Sequence, residues 1–280
     1  MTFVKEMKLG DEKTFERERD LRVLSLGAGV QSSTMALMAD SGEFGVKPDA
    51  AVFADTGWEP KPVIDHLNYL KSKLSFPVYI CKAGNLNEDI LKATDNGKFV
   101  SVPFFTINEK GKKGMGRRQC TREYKITPIA AKIRELLGMK KYARFPKGEY
   151  VETWVGISSD EVFRVKESRF WWQKNRWPLI EKKMSREDCI EWYSGKDYKT
   201  PAKSSCIGCP YHDDSFWLDM KYNRPDEFAA AVIFDKRMRD NDHKIKNYMH
   251  RSCKNLDEVK FKGDEQLDLF NNECEGMCGV

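Results

Sequence analysis

Two stretches of this 280-residue chain hold residues whose types and spacing can do chemistry. The first is Gly27-Ala28-Gly29-Val30-Gln31-Ser32, a small-residue turn ahead of a segment of helical composition, Thr34 to Ala39. Backbone N–H groups at such a turn, at the positive end of a helix, make a cradle for phosphate oxygens. The turn is not a Walker loop, because no Gly-Lys-Ser/Thr follows. It also lacks the third glycine of the dinucleotide fingerprint. The second stretch is Cys206-Ile207-Gly208-Cys209-Pro210, whose two thiols are spaced to reach one metal ion. The same spacing serves a redox dithiol or a zinc knuckle.

Two basic runs suggest a polyanionic partner. Lys110, Lys112, Lys113, Arg117, Arg118, Arg122 and Lys125 are opposed within their stretch only by Glu123. Arg164, Lys166, Arg169, Lys174 and Arg176 are interleaved with Phe170, Trp171, Trp172 and Trp177. Cations follow a phosphate backbone while flat rings stack on bases, so the combination suits a nucleic-acid strand. Aromatic residues at this spacing equally serve as core packing.

The elements that must position these residues can be read from the apolar pattern. Leu21 to Ser25, Ala50 to Ala54, Pro77 to Cys81 and Val151 to Ile157 read as strands, and Val63 to Leu74 as a helix entered through Pro60 and Pro62. Strands alternating with helices predict an α/β fold with a doubly wound parallel sheet, which puts ligands at the carboxyl ends of its strands. Asn96 to Arg118 loses periodicity and gathers Gly, Lys and Arg, and reads as a mobile loop that folds over a ligand. Beyond Lys203 no alternating strand stands out, while Phe216 to Tyr222 and Glu227 to Arg239 look helical. The expected organisation is a nucleotide-binding α/β domain over 1–202 and a helical, cysteine-bearing region over 203–280.

Composition bounds the function class. With 40% hydrophobic residues and a mean hydropathy of −0.63, the chain can bury an α/β core and is neither fibrous nor wholly disordered. No stretch approaches a membrane span, and Met1 to Leu21 is charged where a signal peptide would be apolar, so a cytoplasmic location is expected. The net charge of +5 is too mild to announce a nucleic-acid binder without local clustering. Eight cysteines without an export signal read as reduced thiols, metal ligands or sulfur carriers. Cys81, Cys189 and Cys253 have no spacing argument, and His66, His212, His243 and His250 read as hydrogen-bonded histidines.

Five ordered blocks together carry a resemblance. The 27–32 turn, following Ser25, resembles the PP-loop of the adenine-nucleotide α-hydrolase superfamily, usually Ser-Gly-Gly-x-Asp-Ser. Asp55-Thr56-Gly57-Trp58 resembles the Asp-Thr-Gly segment of PAPS reductase-like members. Cys120-Thr121-Arg122-Glu123-Tyr124-Lys125-Ile126-Thr127-Pro128-Ile129 resembles the family's Cys-x-x-x-x-Lys-[IV]-x-Pro-[LI] segment. Gly156-Ile157-Ser158-Ser159-Asp160-Glu161 with Arg164, and then Cys206 to Pro210, resemble two later blocks. Gly29 and Ser32 match the usual pattern, whereas Gly27, Ala28 and Gln31 replace its Ser, Gly and Asp.

The resemblance implies ATP or a related adenylyl nucleotide lying across the strand ends, its phosphates on the turn and its adenine near Asp55 and Gly57. It implies Mg2+ bridging the phosphates and Lys125, Arg122 and Arg164 stabilising developing charge. It also places Cys120 with Cys206 and Cys209 at a [4Fe-4S] cluster, with Cys274 as the leading fourth ligand and Cys278 as ligand or mobile sulfur carrier. The type most resembled is the DNA phosphorothioation proteins, in which sulfur replaces a non-bridging phosphate oxygen. The implied partners are a cysteine desulfurase or other sulfur donor and DNA or tRNA contacted by Lys112, Lys113, Arg117, Arg118 and Arg169. A homodimer is left open. Other readings are a sulfonucleotide reductase forming sulfite, a tRNA-thiolating enzyme, and a non-catalytic nucleic-acid-binding module.

Overall fold

A strand that is apolar on both faces has to be covered on both, and the runs near 21–26 and 50–54 are of that kind. The computed structural model describes residues 5–9, 12–16, 21–96, 102–239 and 245–262, the first two stretches as backbone alone. In chain order its strands are β1 (Lys5–Leu9), β2 (Glu12–Glu16), β3 (Arg22–Leu26), β4 (Ala50–Asp55), β5 (Val78–Lys82), β6 (Phe105–Asn108), β7 (Lys113–Met115), β8 (Val151–Val155), β9 (Gln173–Arg176) and β10 (Ile245–Tyr248). Its helices are α1 (Val30–Asp40), α2 (Lys61–Lys73), α3 (Leu86–Asp95), α4 (Thr127–Leu136), α5 (Pro178–Glu181), α6 (Arg186–Glu191), α7 (Asp214–Asn223) and α8 (Pro225–Arg237).

Five parallel strands form the central sheet in the order β5-β4-β3-β8-β9. Side chains alternate across it. Leu24, Leu26, Ala51 and Phe53 face one apolar cluster with α1 and α2, while Val23, Ala50, Val52 and Ala54 face another with Ile129, Ala130 and Ile133 of α4. The architecture is therefore the expected doubly wound parallel sheet. Its winding reverses at β3, where β4 and β5 lie to one side and β8 and β9 to the other. Such a reversal leaves a crevice at the carboxyl ends of the two diverging strands.

Two expectations are corrected. The stretch Asn96 to Arg118 is not a single loop: β6 and β7 pair antiparallel within it. The region beyond Lys203 does contain a strand, because β10 adds to the other edge of β6. A third apolar cluster joins Trp58, Leu86, Ile90 and Phe104 to Phe216, Trp217, Met220 and Phe234, drawing on both sides of residue 203. The charged amino-terminal stretch pairs as the β1–β2 hairpin. Among the described residues, no helix is long and apolar enough to cross a membrane.

Candidate functional site

Three turns that carry the sequence motifs leave neighbouring strand ends. Gly27 follows β3, Thr56 and Gly57 follow β4, and buried Gly156 follows β8. Adjacent strands lie about 4.8 Å apart, so the three turns form one lip. The first turn is closed from within: Ser32 Oγ accepts from Gly27 N at 3.1 Å and donates to Gly29 O at 3.4 Å. Ala28 takes the left-handed conformation, φ 56°, that this bend requires. α1 then starts with Gly29 as an extended N-cap and no side-chain cap, so the positive end of the helix opens toward the lip. Ser25 ends buried beneath it.

Gln31 is fully buried and crosses the crevice between β3 and β8. Its Nε2 donates to Glu161 Oε2 at 3.2 Å and to Ser158 Oγ at 3.5 Å, while its Oε1 has no hydrogen-bond partner among the described residues. The same Glu161 carboxylate is ion-paired with Arg164. A predicted phosphate-site cation is thereby tied to the helix that carries the turn. At the second turn, Asp55 Oδ1 accepts from Gly57 N at 2.7 Å and Oδ2 pairs with Lys82 at 3.4 Å. Gly57, with φ +74° and an added Cβ 3.1 Å from the Asn85 backbone, has little room for any larger residue.

The cysteine loop is seated on these strand ends. Ser204 donates its hydroxyl to Gly27 O, Ile207 N donates to Trp58 O at 2.8 Å, and Cys206 Sγ lies 3.3 Å from Thr56 Oγ1. Cys206 Sγ also faces Glu59 Oε1 at 3.6 Å, an oxygen that accepts from Thr56 Oγ1 at 2.9 Å. Glu59 Oε2 is buried without a hydrogen-bond partner among the described residues. Burial, and then the Glu59 carboxylate, push the Cys206 thiol well above its ordinary value, against the pull of Lys125. His212 closes the loop from behind, its Nε2 2.9 Å from Cys206 O, with burial and then Lys203 lowering it to about 3.

Cys120, Cys206 and Cys209 line one cavity, with Thr56, Trp58, Arg118 and Lys125 around them. Local chain chemistry explains how Cys120 and Lys125 arrive there. Pro128 has no N–H for the usual helical bond, and the backbone ahead of it widens to a π turn over Arg122–Ile126, closed by Thr127 N to Arg122 O. The turn buries Lys125 and leaves Arg122 outside, beside Glu123 at 3.3 Å. Among the described residues, no three of His, Cys, Asp and Glu are grouped closely enough to hold one metal ion. The arrangement does not match a zinc site, whose thiolates converge within about 2.3 Å of a single centre. Cys274 and Cys278 lie outside the described residues.

The basic runs separate. Lys112, Lys113 and Arg117 are exposed on or beside the β6–β7 hairpin, and Arg118 lies over the Tyr211 ring at 5.2 Å, at the wall of the thiol cavity. Much of the second run's interleaving is packing and pairing, while Trp171 and Lys174 are exposed. Trp172 stacks on Phe145 at 4.7 Å, Trp177 packs against Val155 and Ile157, and Arg176 pairs with Glu181. Arg169 is exposed, but it sits shortly before β9 begins, at the amino end of the sheet and away from the lip. Ser204, Glu59 and Tyr211 carried no motif of their own; only their closeness to Cys206, Thr56 and Cys209 could have marked them.

No family model matches the chain, and no curated protein matches it. Solved structures do match. One is the phosphoadenylyl-sulfate (PAPS) reductase from Candida auris in a phosphate complex, at 13% identity and a TM-score of 0.36, over 66% of this chain and 81% of that one. So low an overlap leaves the chemistry of the site to its own residues.

Proposed function

We propose that the chain is an adenylyl-nucleotide-using enzyme of the PP-loop kind, an ATP pyrophosphatase that activates an oxygen on nucleic acid for replacement by sulfur. One juxtaposition supports this most: Ser204 on Gly27 and Cys206 on Thr56 seat the thiol loop on the strand ends that carry the phosphate turn. Phosphoryl and sulfur chemistry then share one crevice.

In this reading the first turn of α1 holds the phosphates through backbone N–H groups. Gln31 Oε1 and Glu59 Oε2, both buried and without partners among the described residues, are acceptors that a ligand hydroxyl or a coordinated water would satisfy. Lys125 faces the cavity and Arg164 stands behind Gln31, so the cations stabilise charge from two sides of the lip. Arg122, exposed beside Glu123, meets the polymer rather than the scissile bond. Mg2+, when bound, neutralises adjacent phosphate oxygens. An iron–sulfur cluster on Cys120, Cys206 and Cys209, when bound, supplies thiolate-ligated iron able to handle sulfur. The exposed Lys112, Lys113 and Arg117 guide DNA or tRNA toward the cavity, and a cysteine desulfurase or other donor brings the sulfur.

The test is anaerobic purification with iron and sulfide assay, followed by pyrophosphate release from ATP with and without DNA or tRNA. Nucleic-acid-stimulated pyrophosphate release supports the reading. Sulfite formed from a sulfonucleotide with thioredoxin, and no pyrophosphate, replaces it with a reductase. A protein that binds no adenylyl nucleotide is a binding module.

A further inference from the structure

The opposite end of the sheet carries a second surface of marked character. A groove runs between α4 and the loop that follows it, lined by Arg134, Glu135, Lys140, Lys141 and Tyr142 together with Phe170 and Trp172. The segment 138–148 contains four cations, Lys140, Lys141, Arg144 and Lys147, and no acid. All four are exposed, and no ion pair among the described residues uses any of them. Arg164 and Lys203, by contrast, are each held by a carboxylate.

Tyr142 is the second observation. Its ring is 87% exposed and its backbone is left-handed, φ 69°, a conformation costly for a bulky residue and easy for glycine. Lys141 Nζ lies 5.3 Å from the ring centroid. Nearby, Trp171 is 62% exposed and touches Phe145 only edge-on, at 88°. Both residues are largely exposed to solvent. Exposed ring faces beside cations fit unpaired bases and their phosphates, the polymer of the proposed substrate.

We propose that the groove along α4 and residues 138–148 is an anchoring site for single-stranded nucleic acid, distinct from the nucleotide crevice. It rests on the proposed nucleic-acid substrate only for the identity of the polymer. Five-residue strands separate the two ends of the sheet by roughly 16 Å, so a mononucleotide cannot serve both, whereas a polymer can. The groove then sets where the strand is held while its reactive phosphate reaches the thiol cavity.

The test is fluorescence anisotropy of a labelled oligothymidylate of about 16 nucleotides with the full chain, over a range of salt. Lys140→Glu with Lys141→Glu should weaken binding about tenfold at low salt and reduce the slope of log affinity against log salt by about 0.7 per lost phosphate contact. Tyr142→Gly should weaken binding several-fold while raising the melting temperature, because it removes a stacking face and relieves the left-handed backbone together. Adenylyl-nucleotide binding should be unchanged in both, which also shows that they fold. Unchanged oligonucleotide affinity in both variants, with loss confined to Lys112→Glu/Lys113→Glu, would overturn the groove and leave the enzymatic reading standing. Binding to phosphatidylserine vesicles in preference to the oligonucleotide would also overturn it. Failure of nucleic acid to stimulate pyrophosphate release would sink the substrate reading without touching the anisotropy result.

Discussion

Ser32 shows how a single hydroxyl can shape a binding turn. It closes the bend by accepting from Gly27 N and donating to Gly29 O, both in a buried setting. Ser32→Ala is expected to weaken adenylyl-nucleotide binding about tenfold, the effect of roughly one hydrogen bond, with a cooperative urea transition retained. Isothermal titration beside a urea melt checks both halves, and an unchanged titration curve removes Ser32 from the site. His66 is a second residue with a readable consequence. It is buried, its Nε2 lies 3.1 Å from Ser33 Oγ in α1, and burial first and the Lys199 charge second lower it from 6.5 to about 4. As pH falls below 6.5 the unfolded chain takes up a proton that the folded chain refuses, so stability present above 6.5 is lost progressively toward pH 4. The loss between pH 7 and pH 5 should be on the order of 2 kcal/mol, and His66→Asn should flatten that part of a urea-stability profile.

At the scale of elements, legibility followed burial. β3, β4 and β8 were visible as apolar runs because the middle of the sheet needs hydrophobic residues on both faces, whereas the half-exposed edge strand β5 was visible through its β-branched and aromatic residues. β7 is exposed along its length and β10 is half-exposed, so neither leaves a periodic trace, and the short β6 between them was lost with them. The candidate site was legible as separate motifs. Its assembly was not, because Ser204 meeting Gly27 and Cys206 meeting Thr56 are contacts between residues about 150 or more positions apart. The seat of the cysteine loop is stringent. A Cβ on Gly208 would lie 1.8 Å from the Trp58 indole, which is itself packed on Phe234 at 4.4 Å between centroids. Gly208→Ala should therefore cost about 1–3 kcal/mol in a urea melt and shift the alkylation rate of Cys206, since the loop and not the wedged ring must move. A neutral result would mean that the loop has slack the packing does not show.

At the scale of the whole molecule, charge is placed rather than abundant. A net charge of +5 is modest, yet the β6–β7 hairpin and the adjoining Arg117 and Arg118 put cations beside the thiol cavity. Arg117→Glu with Arg118→Glu should weaken DNA binding by an order of magnitude or more at low ionic strength and much less at high, as exposed phosphate contacts are screened. A loss independent of salt in a mobility-shift titration would point to damaged packing, with Arg118 over Tyr211 the first suspect. The third apolar cluster has a temporal corollary. Trp58, Leu86, Ile90 and Phe104 are covered by Phe216, Trp217 and Phe234, and β6 is flanked by a strand made about 140 residues later. During synthesis the 27–32 turn emerges long before the cysteine loop that is seated on it. A ribosome-bound half-product leaves those rings bare, and transiently exposed apolar surface of that kind is prone to aggregate.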